Sequence, residues 1–192
     1  MMTTIVAVQG SGWAVIGCDS RVTDEGRIYN TGLGWSKVVK NNGWLFGVAG
    51  DVRAINLVAH AFRAPRPKPE LKGVWLDRFV TAEFIPVLRE VFDREGYVSG
   101  KRNGAEEHGA EILACVNGCV YEIASDWSWC HDVRGLYAVG TGGEIALGAL
   151  SVLSWSDVVS AKDAVGRALE SASEFDNGTS PPFRLFSQLA VV

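Results

Sequence analysis

Along the first fifty residues the apolar positions fall in short blocks of strand length, and after that their period changes. Residues 3–9 and 13–19 are Val/Ile-rich runs separated by Gly10-Ser11-Gly12, which predicts a hairpin: β-branched residues suit the pleat and glycine suits the turn. RIYNT and SKVVK flank Gly32-Leu33-Gly34 and read as two adjacent strands, and GWLFGVAG supplies a further apolar strand ending in small residues. From Asp51 the spacing becomes helical, with Ile55, Val58, Ala59 and Phe62 on one face and an acidic residue at the start, so a helix of about three turns is expected. It cannot continue through APRPKPELKG, whose three prolines remove donors and restrict the residues before them.

A second helical pattern runs from Leu76 to about Arg94, with Leu76, Val80, Phe84, Val87 or Leu88, and Val91 recurring, and Pro86 is expected to kink it. SGKRNGAEEHG reads as a loop, and AEILACV-NG-CVYEIAS is a hairpin around an Asn-Gly turn. LYAVG is a further strand, EIALGALSVL a helix, and Ser160 with Asp163 predicts a capping box for another helix whose stripe is Ala161, Ala164, Val165, Ala168, Leu169 and Ala172. FRLFSQLAVV closes the chain as a strand. The order of strands, two helices, strands, two helices and a strand points to an α+β protein, two antiparallel sheets face to face with helices outside: a four-layer αββα sandwich.

Composition narrows the partners. The 192 residues fit one domain, 1–192, and 47% hydrophobic with 21% charged residues is ordinary for a globular chain. A net charge of −4 without a basic stripe argues against nucleic acid. No apolar run approaches the ~20 residues of a membrane span and no charged region precedes an apolar one at the start, so no membrane association and a cytoplasmic location are expected. Cys18, Cys115, Cys119 and Cys130 are too few and scattered for a disulfide framework and read as reduced thiols. Cys115, Cys119, Cys130 and His131 do not make a zinc site, because neighbouring Cys and His point opposite ways on a strand and the first pair flanks a turn. His60, His108 and His131 lack triad spacing. No metal or cofactor is implied.

The start, MMTTIVAV, carries the chemistry. A threonine hydroxyl is a weak nucleophile that needs a base within hydrogen-bonding distance. When threonine is the first residue its own α-amine, titrating near ~8, can be that base. Such a group needs a rigid strand and neighbouring charges that hold the amine's pKa down.

In order and approximate spacing, TTIVAV, GCDSRVT, SKVV, FGVAGD, AVGTGG and SEFDNGT resemble the proteasome β-subunit superfamily, which includes the bacterial protease HslV, over almost the whole chain. The resemblance implies an N-terminal-nucleophile hydrolase fold and a threonine peptidase activity on peptide or unfolded protein. It also implies a homo-oligomeric ring enclosing its active sites, with an ATPase unfoldase at the entrance as a partner. By that resemblance Thr3 is the nucleophile, and Asp19, sixteen residues on, is the carboxylate that pairs with a catalytic lysine. Lys37 is that lysine once two residues are inserted before it, and Gly50 carries the oxyanion N–H. Thr141 stands where the family has serine, Arg21 supports Asp19, and Asp176 and Thr179 match the residues that hold the terminal amine. Val22, Trp35, Val48 and Val52 fall at the pocket for the side chain before the scissile bond.

Such an enzyme needs Met1 and Met2 removed. Met-Met-Thr is a poor substrate for methionine aminopeptidase and no glycine precedes Thr3, so translation from Met2 followed by trimming is the expected route. With no propeptide ahead of Thr3, an HslV-like or viral relative is expected rather than a cellular proteasome subunit. The competing expectation is a catalytically silent structural or interaction protein of the same fold whose Thr3 is never freed.

Overall fold

Two antiparallel sheets face each other and each is covered outside by helices, in a computed structural model that describes residues 2–24, 26–31, 34–97, 100–102 and 105–190. In chain order, β1 (Thr4–Gly10) and β2 (Trp13–Cys18) form the expected hairpin, followed by β3 (Arg21–Asp24), β4 (Arg27–Asn30), β5 (Val38–Asn41) and β6 (Trp44–Gly50). The first helical layer contains α1 (Val52–Asn56), which runs into a π-helical turn at Leu57–Ala61. It is completed by α2 (Val74–Phe79), a second π-helical turn at Val80–Phe84, and α3 (Ile85–Arg94). Then come β7 (Gly100–Arg102), β8 (Ala105–Glu107), β9 (Ala110–Val116), β10 (Cys119–Ile123), β11 (Trp129–Cys130), β12 (Leu136–Gly140), α4 (Gly143–Leu150), α5 (Val158–Phe175) and β13 (Arg184–Leu189).

One sheet has the order β12-β1-β2-β13 and the other β11-β10-β9-β6-β5. Between them lies a buried layer that includes Ile5, Ile16, Leu45, Leu113, Val120 and Val139. Outside the second sheet, Trp44, Phe46 and Phe84 stack with centroids 4.3 to 5.7 Å apart and anchor the α1–α3 layer. Outside the first sheet, Val6, Val8 and Val15 meet the Ala161, Ala164, Val165, Ala168, Leu169 and Ala172 stripe of α5. These four layers are the expected αββα sandwich.

Three local expectations are corrected. Arg27–Asn30 does not sit beside the SKVVK strand; it pairs with Arg21–Asp24 in a separate two-stranded ribbon, while β5 pairs with β6. Gly32 and Leu33 of the expected turn lie outside the described residues. SGKRNGAEEHG is not wholly a loop, since β7 and β8 pair antiparallel, with Ser99 and the intervening Asn103-Gly104 outside the described residues. The capping box of α5 is built one turn earlier than expected. Asp157 accepts from the Val159 and Ser160 N–H groups, and the Ser160 hydroxyl accepts from the Asp157 N–H, because Asp157 is the residue that keeps extended backbone there. Before Pro86 the chain forms the π-helical turn, in which the Ile85 N–H reaches back five residues to the Val80 carbonyl. The widened ladder accommodates a residue that has no N–H to donate.

Candidate active site

The site lies at the end of the sandwich where β1 begins and β2, β6 and β12 end. Register brings Thr4 opposite Gly140 and Ile5 opposite Cys18, so Thr3 meets the residue after β12 and Thr4 meets the residue after β2. Gly140 has to be glycine: its φ is 91°, and a Cβ there would lie 2.1 Å from the Thr3 carbonyl oxygen.

Asp19 is the hub. Its Oδ1 accepts from the Thr4 N–H at 3.0 Å and from Lys37 Nζ at 2.6 Å, and its Oδ2 accepts from the N–H groups of Arg21 at 2.9 Å and Ser180 at 3.4 Å. Both members of the Asp19–Lys37 pair are closed off from solvent. Burial pushes the Lys37 ammonium below the ordinary lysine range, opposed by the Asp19 carboxylate. Burial also pushes the Asp19 carboxyl up, opposed by Lys37 and by the backbone N–H donors. The ammonium reaches one further acceptor, the Met2 carbonyl at 3.4 Å, which puts Lys37 against the peptide bond that joins Met2 to Thr3.

A second chain of bonds leads from the nitrogen of Thr3. It donates to Thr141 Oγ1 at 3.3 Å, and Thr141 Oγ1 donates to Asp176 Oδ2 at 3.0 Å. Thr179 Oγ1 also donates to Asp176 Oδ2, at 2.6 Å, so in the 2.5 Å contact between Thr179 and Thr4 the proton comes from Thr4. Within this bonded surround, Thr3 Oγ1 is buried and has no hydrogen-bond partner among the described residues. An orphan hydroxyl costs free energy unless something else uses it.

The structure thus gathers Thr3, Asp19, Lys37, Thr141, Asp176 and Thr179 in one network. Arg21 enters it through its backbone N–H, while its guanidinium donates to the Asn177 carbonyl at 2.8 Å and ties the ribbon to the 176–180 loop. Thr4 and Ser180 belong to the same network and were not expected. A buried Thr4 facing Asp19 follows from the β1–β2 register, which the sequence does not print.

Beside Gly50 lies a cavity of ≈ 660 Å³ walled by Val22, Thr23 and Tyr29 from the ribbon and by Asp51 and Val52 from the start of α1, with Gly109 across from Gly50. Of the four expected pocket residues, Val22 and Val52 line it. Val48 is wholly buried in the core under α1–α3, and Trp35 packs against that same core rather than the cavity. Val48 sits two residues before Gly50, on the strand face that meets the helices. All four cysteines are free thiols. No helix among the described residues is long and apolar enough to cross a membrane.

This architecture is the N-terminal-nucleophile hydrolase fold in its proteasome-subunit and HslV-like form. Among solved structures, the chain is similar to the BPH of Thiobacillus denitrificans in complex with epoxomicin, with TM-score 0.78, 18% identity, and coverage of 99% of this chain and 100% of that one. The BPH of the same organism in a second structure gives TM-score 0.79 at 18% identity over 98% and 99%. Eukaryotic HslV from Trypanosoma brucei gives TM-score 0.65 at 20% identity over 97% and 99%. No protein-family model and no curated protein matches the sequence.

Proposed function

We propose that the chain is a threonine peptidase whose nucleophile is Thr3 once Met1 and Met2 are removed, working inside a cytoplasmic homo-oligomeric ring on peptides or unfolded protein delivered by an ATPase unfoldase. The observation that carries this reading is the buried, unpartnered Thr3 hydroxyl beside a nitrogen that is already hydrogen-bonded to Thr141. The similarity to BPH and HslV structures supports the fold on which this reading rests, and the ring and the ATPase partner follow from the family resemblance of the sequence motifs.

With Thr3 at the terminus, its α-amine takes the hydroxyl proton while Oγ1 attacks the substrate carbonyl carbon. The Lys37 ammonium, held by Asp19, sits where it favours the neutral amine, and the Thr141 hydroxyl with Asp176 orients that amine. Gly50 offers a side-chain-free N–H to the developing oxyanion. The proton then passes to the leaving amine, the C–N bond breaks, and the acyl group remains as an ester on Thr3. Water adds to the ester carbonyl, giving up its proton to the α-amine. The acid leaves and the hydroxyl is restored.

In the chain as it stands the Met2 carbonyl accepts from Lys37, so the retained Met2 occupies the lysine that the free enzyme would use. This contact is what a permanently silent relative would look like, and intact mass decides between the two. A natively expressed chain beginning at Thr3 supports the enzyme, and one beginning uniformly at Met1 or Met2 overturns it. Fluorogenic peptides should be turned over by the processed wild type and not by processed Thr3→Ala. Epoxomicin, the compound in one BPH complex, should add its mass to the first and not to the second.

A further inference from the structure

Thr3 lies between two halves of the site, and Thr4 is bonded to both. Its backbone N–H donates at 3.0 Å to Asp19 Oδ1, the oxygen that also accepts from Lys37 Nζ. Its hydroxyl makes the 2.5 Å contact with Thr179, on the side where Thr179 and Thr141 both donate to Asp176 Oδ2. Thr4 is wholly buried, and Thr179 is buried with it. A Cβ at Gly142 would lie 2.2 Å from Thr4 Oγ1 and 2.9 Å from Thr179 Oγ1, so residue 142 closes over the pair and has no room for a side chain.

The direction of the protons gives this link a consequence. Thr179 spends its one hydroxyl proton on Asp176, so Thr4 donates to Thr179, and the chain runs from Thr4 through Thr179 to Asp176. Thr141 also has one proton, and two acceptors are in its reach: Asp176 Oδ2 at 3.0 Å and the Thr3 carbonyl at 3.4 Å. While Asp176 Oδ2 is held in place the carboxylate takes that proton, being nearer and charged, and a Thr141 lone pair is left for the Thr3 nitrogen at 3.3 Å. If the carboxylate turned away, the Thr141 proton would fall to the Thr3 carbonyl instead. Asp176 is only partly buried at the end of α5, where an aspartate has other rotamers open to it, and the buried Thr4–Thr179 pair closes them off.

We propose that Thr4 is a positioning residue of the reaction: its hydroxyl, acting through Thr179, holds Asp176 where it takes the Thr141 proton and leaves the Thr141 lone pair facing the α-amine of Thr3. The proposal rests on the peptidase reading for the amine's role as base, but the hydroxyl chain can be followed at the amine without turnover.

In the processed protein Thr4→Ala removes the hydroxyl and Thr4→Ser keeps it, so the two variants isolate the link. Peptide kinetics should show kcat lowered roughly fivefold to tenfold in Thr4→Ala with KM unmoved, and kcat of Thr4→Ser within about twofold of the wild type. In a Thr141→Val background Thr4→Ala should lower kcat no further, because the hydroxyl it acts through is already gone. Thr4→Val, which fills the volume, serves if Thr4→Ala does not fold. A Thr4→Ala kcat equal to that of the wild type, the same fold-loss in both backgrounds, or a loss that Thr4→Ser shares overturns the positioning role. If the processed wild type turns over no peptide, the peptidase reading falls and the chain is followed at the amine by acetic anhydride labelling at neutral pH, measured by mass spectrometry of the N-terminal fragment. Thr3 should then be acetylated roughly twofold to threefold faster in Thr4→Ala than in the wild type, since a loosened Asp176 no longer favours the ammonium form. Equal labelling rates overturn the positioning role.

Discussion

Lys37 Nζ lies 2.6 Å from Asp19 Oδ1, with neither side chain reaching solvent. A buried pair of this kind is a weak source of net stability, but losing one partner strands the other. Lys37→Met leaves Asp19 with three backbone donors, whereas Asp19→Asn leaves the Lys37 ammonium with an amide oxygen and the Met2 carbonyl. Each single change is expected to cost about 3–5 kcal/mol, more for Asp19→Asn. The double variant Asp19→Asn/Lys37→Met should recover most of that. Urea denaturation of the four proteins gives the coupling, and peptide hydrolysis should be absent from all three variants.

Thr141 is the one hydroxyl between the Thr3 nitrogen and Asp176. Thr141→Ser keeps the bridge and should hold kcat within about twofold, while Thr141→Val keeps the shape and removes it, lowering kcat by roughly tenfold to a hundredfold. If the hydroxyl orients the amine, KM should barely move. A matching rise in KM with kcat intact would assign Thr141 to substrate binding instead.

Acid should weaken the fold through His108. Burial lowers its imidazole from the ordinary 6.5 to about 4. Between those values the unfolded chain binds a proton that the folded chain refuses, so stability falls as pH drops from about 6.5 to about 4 and then levels off. A gap of that size corresponds to roughly 3 kcal/mol. His108→Asn keeps an acceptor for the Ala110 N–H and cannot titrate, so its urea midpoint should decline less than that of the wild type over the same range. Parallel declines would show that other groups dominate.

Periodicity made most of this fold legible. The β1–β2 and β9–β10 hairpins carry their turn glycines in the sequence, and every member of the α5 stripe is buried. The ribbon of β3 and β4 was not legible, because RIYNT looks equally like a partner for the strand after it, and only pairing decides. The same ribbon explains the pocket: Thr23 and Tyr29 line the cavity because β3 and β4 stand apart from both sheets, while Val48 follows strand alternation into the core. Resemblance pointed to Thr3, Asp19 and Lys37, but the places of Thr4 and Ser180 depend on register and on loops meeting in space.

Gly50 offers a test of close approach separate from backbone strain. Its φ is 112°, and a Cβ there would lie 2.3 Å from the Gly109 carbonyl oxygen, just before the facing strand, and 3.1 Å from Ala110 Cα, where that strand begins. Gly96 also has positive φ, 65°, yet a Cβ there meets nothing within 4 Å. Gly96→Ala should therefore cost only the conformational penalty, about 1 kcal/mol, and leave peptide hydrolysis intact. Gly50→Ala should cost about 3 kcal/mol or more. It should also lower kcat by at least a hundredfold if the Gly50 N–H meets the oxyanion, because relieving the clash moves that donor. Thermal melts and peptide kinetics on the two variants separate the effects: a Gly50→Ala protein that melts early but turns over normally would remove Gly50 from the chemistry.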